Sequence, residues 1–61
     1  MPIITMVISN LDVEKKRSLA KGLTKVGSEV TGIPQDKFIV IIDEHSRENI
    51  ASGGTLLADR K

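Results

Sequence analysis

The residue of this chain with the clearest chemistry is Pro2, which directly follows Met1. Once Met1 is removed, Pro2 is a secondary amine on a stiff ring, able to take up and return a proton without ordering a flexible side chain. It opens the run Ile3-Ile4-Thr5-Met6-Val7-Ile8, so the amine would stand among aliphatic groups. Desolvation disfavours the charged form of an amine and lowers its pKa. A base whose pKa is brought towards the working pH exchanges protons efficiently. There is also a plain structural reading, since a proline at the start of a strand does no harm where its missing N–H is not needed. The rest of the chain has to decide between the two.

Other candidates are few. The chain has no Cys and a single His45, so there is neither a disulfide framework nor a cluster with metal-ligand spacing. His45 and Arg47 are the basic residues near Gly53-Gly54 and could hold a carboxylate; solvated loop charges are the alternative, and Lys37 is a weaker candidate of the same kind. Asp43 and Glu44 are adjacent, so in a strand they point to opposite faces and cannot form a paired-carboxylate site. A structural or interface role suits them better. Gly53-Gly54 lacks the Lys-Ser/Thr of a phosphate loop.

Nine Lys and Arg against eight Asp and Glu leave a net charge of +1, with the signs interleaved. That is no footprint for nucleic acid, and one Phe without Tyr or Trp supplies no stacking platform. No apolar run approaches the ~20 residues that span a bilayer, and no secretory signal opens the chain. A cytoplasmic protein without nucleic-acid or membrane partners is expected.

The elements that must position Pro2 can be read in order. Residues 3 to 8 form a strand apolar on both faces, as in sheets covered on two sides. Asp12 is a good N-cap for a helix beginning at Val13, with Glu14 near its positive end. Leu19, Leu23, Val26 and Val30 recur at helical spacing, widened by Ala20 and Gly27, with the lysines mostly off the stripe. Gly32 followed by Pro34 ends the helix. Gly22 and Gly27 are candidates for close packing on the sheet. Phe38-Ile39-Val40-Ile41-Ile42 is a second strand, again apolar on both faces, which makes a βαβ unit with parallel strands. In the tail, Ser52-Gly53-Gly54 marks the turn of a short hairpin, or an arm reaching a neighbour.

At 61 residues this is a single α/β (α+β) domain, residues 1–61, and a chain of that size buries only about 60% of its unfolded surface. One helix covers one face of a two-stranded sheet. The other face would remain as an apolar patch that monomers seldom tolerate, so several copies are expected to pack together.

An apolar strand beginning at Pro2, one amphipathic helix ending near Pro34, the strand Val40-Ile41-Ile42-Asp43-Glu44 and a Gly53-Gly54 pair before a short tail resemble the small subunits of the 4-oxalocrotonate tautomerase family. The run Ile42-Asp43-Glu44, then Asn49 and Gly53-Gly54, looks like its divergent DmpI-like subgroup. The resemblance spans essentially the whole chain. It implies a βαβ subunit that dimerises into a four-stranded sheet with two helices on one face, and three dimers forming a homohexamer. It also implies an N-terminal proline that shuttles a proton between an enol or dienol and its keto acid, without a cofactor. Ile4, Ile39 and Ile50 would wall the amine.

The departures are as informative. Where the family places an arginine after strand one, this chain has Asn10-Leu11-Asp12; where it places one in strand two, Ile39 stands; and Ile50 replaces an aromatic residue before the glycine pair. Of the family's catalytic residues only Pro2 carries over, leaving Arg47 or His45 to take the place of the missing arginines, with Ile39 and Ile50 beside the substrate. The expectation is a tautomerase of small 2-hydroxydienoic or 2-oxo acids. The alternatives are a non-enzymatic oligomer of the same fold, or a hydratase or Michaelis-type activity at Pro2.

Overall fold

In the computed structural model, which describes residues 1–60, the chain folds around a two-stranded parallel sheet crossed by one helix. Strand β1 (Ile3–Ile8) and strand β2 (Ile39–Glu44) pair in a register that runs from Ile3 opposite Ile39 to Ile8 opposite Glu44. Helix α1 (Val13–Thr31) connects them. The βαβ expectation holds, but β2 starts one residue later than the apolar run and carries on through Asp43 and Glu44. Ladder pairing with β1, rather than hydropathy, decides where β2 ends.

The ends of α1 follow local chemistry. Asp12 has extended backbone and its carboxylate accepts from the Lys15 N–H at 2.9 Å, satisfying a donor that the helix leaves unpaired. Gly32 stops the helix at φ +76°, and its N–H donates to the Ser28 carbonyl at 2.9 Å. A 3-10 turn at Gln35–Lys37 then leads into β2.

Packing is one-sided. Pro2, Ile4, Met6 and Ile8 of the first strand region and Val40, Ile42 and Glu44 of the second are half-buried on the side that α1 covers. Ile3, Val7, Ile39 and Ile41 point away from it and remain 56%, 61%, 39% and 46% exposed. The inner side of α1 is Lys16, Leu19, Ala20, Leu23, Thr24, Gly27 and Ser28. Val26 and Val30 of the expected stripe are exposed instead, because the stripe is wider than the two-stranded sheet beneath it. Gly27 does permit close approach: a Cβ there would lie 2.7 Å from Cε2 of Phe38. Gly22 has nothing within 4 Å, so only one of the two glycines serves helix–sheet contact within the chain.

Beyond β2 the chain makes a 3-10 turn at Arg47–Asn49, a hairpin of β3 (Ala51–Ser52) and β4 (Thr55–Leu56), and a last 3-10 turn at Leu57–Asp59. Gly53 and Gly54 fill the hairpin loop with φ +59° and +84°, the left-handed pair that a two-residue turn requires. Arg47 donates to the Leu57 carbonyl at 2.8 Å and Arg60 to the Ser52 carbonyl at 3.1 Å, folding the tail on itself.

No described side chain is fully buried. The radius of gyration, 14.6 Å, well exceeds the roughly 10.5 Å of a compact domain this long. Between β1 and α1 an open apolar groove of about 800 Å³ is lined by residues including Met6, Ile8, Leu19, Leu23 and Val26. It runs along the unpaired edge of β1.

Candidate active site

Pro2 lies at the amino end of β1, half-buried on the side that α1 covers, the face it shares with Ile4. Its carbonyl accepts from the Ile39 N–H at 3.0 Å, so the parallel ladder reaches back to the proline and fixes its position relative to β2. Met1, directly ahead of it, is 84% exposed. Pro2 and Ile39 are therefore backbone neighbours, while the exposed Ile39 side chain lies on the sheet face away from α1 and not on the face that Pro2 shares with Ile4. Lys37, at the end of the 3-10 turn before β2, lies at this same end of the sheet and is exposed.

The other candidates lie elsewhere. The His45 N–H donates to the Ile8 carbonyl at 2.8 Å, which puts His45 where the carboxyl ends of both strands meet; its Nε2 is 3.3 Å from Asp43 Oδ1. Arg47 follows in the next turn. Ile50 is half-buried between that turn and the hairpin, its carbonyl accepting from the Leu57 N–H at 2.8 Å. A strand of this length at ~3.3 Å per residue separates the two ends by roughly 20 Å. Within one chain, Pro2 and Ile39 are brought together, whereas His45, Arg47 and Ile50 form a separate group.

Two features at the carboxyl end escaped the sequence reading. Glu44 accepts from the Leu11 N–H at 2.9 Å and pairs with the Lys16 ammonium. These donors, Lys16 foremost and then the Leu11 N–H, hold its carboxyl below the usual carboxylate range against the opposing effect of burial. At this end of the sheet Ser9, Asn10, Ser46, Arg47, Glu48 and Ala58 line an open depression. The signal available in sequence was the rule that parallel sheets bind ligands at the carboxyl ends of their strands. No group of metal-ligating side chains occurs among the described residues, and no helix among them is long and apolar enough to cross a membrane.

A parallel βαβ unit with a proline at the head of its first strand and a glycine hairpin after its second defines the class of small subunits to which the 4-oxalocrotonate tautomerases belong. The chain is a member of the Tautomerase family, described as tautomerase enzyme, which matches residues 2–60. It is 36% identical over 61 residues to a probable tautomerase of Bacillus cereus, covering 98% of this chain and all of that one. It is 32% identical over 60 residues to the 2-hydroxymuconate tautomerase of Bacillus subtilis, covering 97% of each. The solved structure of YwhB, a homologue of 4-oxalocrotonate tautomerase, superposes with a TM-score of 0.92 at 30% identity over 98% of this chain and all of that one. A structure from an analysis of trans-3-chloroacrylic acid dehalogenase activity superposes with a TM-score of 0.78 at 35% identity, over 87% of this chain and 93% of that one. The fold and the family are those that the sequence pattern resembled.

Proposed function

We propose that this protein is a cytoplasmic, cofactor-independent enol–keto tautomerase of small 2-hydroxydienoic or 2-oxo acids, working as a homo-oligomer built from dimers, a hexamer in the full assembly. Pro2, freed by removal of Met1, takes a proton from the enol oxygen and returns it to carbon, acting first as general base and then as general acid. The observation that carries this reading is the position of Pro2. It heads β1 directly after the exposed Met1, it is anchored by its carbonyl to Ile39, and it shares the helix-covered face with Ile4. Its backbone is held by the ladder while its nitrogen stands at the end of the strand. The half-buried Ile4 on the same face would disfavour the charged amine. The 2-hydroxymuconate tautomerase among the relatives supports a dienol acid as substrate.

The assembly explains what one chain leaves undone. Its accessible surface is 4697 Å², against about 3,900 Å² expected for a folded monomer of this mass. The excess is close to the ~800 Å² that each partner buries in a standard interface. A second copy joined along the free edge of β1 would continue the sheet to four strands and bring its helix over the apolar groove.

Kinetics with 2-hydroxymuconate and phenylenolpyruvate test the reading. Native protein is expected to lack Met1 by mass spectrometry, and Pro2→Ala is expected to lose about 10²–10⁴-fold in kcat/KM. Retained Met1 in an active enzyme, or undiminished activity of the variant, would remove Pro2 from the mechanism.

The relative studied for trans-3-chloroacrylic acid dehalogenase activity favours a second reading, addition of water to an unsaturated acid with Pro2 as proton donor. The two differ in the protonation state they need. A basic Pro2 makes kcat/KM rise with pH through the amine pKa, and an acidic one makes it fall.

A further inference from the structure

Gly22 is the central residue of α1 and is exposed, and a Cβ there would meet nothing within 4 Å. A glycine weakens the middle of a helix, and no neighbour within the chain requires one at this position. It lies instead on the wall of the open apolar groove beside β1, with Lys15, Leu19 and Val26. Lys15 stands seven residues before Gly22 and Glu29 seven residues after it. Seven residues are close to two helical turns, so all three share one face, with the charges about 10 Å to either side of the glycine. Both charges are exposed, and neither enters an ion pair among the described residues.

We infer that this face is a pairing code: the helices of two copies cross antiparallel at Gly22, Lys15 of each meets Glu29 of the other, and the charges select a second copy of this chain over a related subunit. Three features of the face point to that occupant. A two-fold contact brings residue i to j and j to i, and centred on Gly22 it pairs Lys15 with Glu29 twice. Centred elsewhere on the groove wall it leaves both charges without their complement, and a parallel crossing sets Lys15 against Lys15. Packed helices approach to about 8–10 Å, depending on the side chains at the contact, and a glycine at the crossing permits the short end of that range. The dimer proposed above, on which this rests, brings a second helix over the groove; Gly22 and the two charges fix its register and its choice of partner. Exposed ion pairs contribute little to affinity, but like charges in their place oppose association. The face therefore acts on selection more than on strength.

Charge exchange tests the code, with self-association read by sedimentation equilibrium. Lys15→Glu sets acid against acid in both pairs and Glu29→Lys sets base against base, so each should raise the Kd of self-association about ten-fold or more, and less so in high salt. The double variant Lys15→Glu/Glu29→Lys should return to within about three-fold of wild type. An equimolar mixture of the two single variants should form assemblies holding both in equal number by native mass spectrometry. Gly22→Leu adds bulk at the crossing without a charge and should also raise Kd, whereas Lys21→Glu, which does not line the groove, should leave it unchanged. Single exchanges without effect, a double variant as weak as the singles, Gly22→Leu that pairs as wild type does, or an equal loss in Lys21→Glu would overturn the pairing code while the dimer stands. A wild-type chain that is monomeric at every concentration would take the dimer down with it.

Discussion

Glu44 ties the loop after β1 to the end of β2 through two different donors, the Leu11 N–H and the Lys16 ammonium. Both favour the charged carboxylate, and its pKa is lowered accordingly. The unfolded chain therefore takes up this proton more readily than the folded one. The stabilisation from the clamp is complete above the ordinary carboxylate pKa and is lost as pH falls through the depressed folded value. Glu44→Gln keeps the shape and an acceptor for Leu11 but discards the charge. Thermal melts should show the variant less stable at neutral pH, with the gap to wild type closing on acidification; a gap that persists unchanged into strong acid would remove the charge from the account. The role was legible only halfway. Adjacency of Asp43 and Glu44 already implied opposite faces, yet nothing in the sequence pairs Glu44 with Lys16, 28 residues away.

At the level of elements, the seam between α1 and β2 depends on Gly27 lying against the Phe38 ring. A Cβ at Gly27 would approach ring carbons to 2.7, 3.2 and 3.3 Å. Gly27→Ala gains about 1 kcal/mol of helix propensity, but the overpacking it forces costs about 1–3 kcal/mol. The half-buried ring has α1 on one side, so denaturant unfolding is expected to show a net loss of up to about 2 kcal/mol; a stabilised variant would mean that the ring swings aside freely. Helix caps and the hairpin turn were readable because each depends on a few adjacent residues: Asp12 on Lys15, Gly32 on Ser28, Gly53-Gly54 on positive φ. Which stripe residues meet the sheet was not readable. Val26 and Val30 fit the helical period as well as Leu19 and Leu23 do, and only the width of the sheet separates them.

For the whole molecule, two apolar surfaces remain open. One is the outer sheet face of Ile3, Val7, Ile39 and Ile41, and the other is the groove beside β1. Val26 in the groove and Ile41 on the sheet face are 60% and 46% exposed, so Val26→Arg and Ile41→Lys cost a lone chain little. They place a charge where a second copy would have to bury it. Sedimentation velocity should show wild type larger than a monomer, each variant shifted towards smaller species, and a melting temperature that rises with protein concentration only for the wild type. A wild-type monomer at all accessible concentrations would contradict the assembly.

Sequence alone determined the βαβ order, the capped helix, the glycine turn, the apolar outer face and the prominence of Pro2, because these follow from local periodicity and from single residues with restricted chemistry. It also marked the absence of the expected arginines. Tertiary structure alone decided that Pro2 adjoins Ile39 while His45, Arg47 and Ile50 gather at the far end, since parallel pairing sets the amino ends of both strands together and the carboxyl ends together. That arrangement separates the proposed base from His45 and Arg47 by the length of β1, and in the proposed assembly a second copy of the chain would have to reunite them.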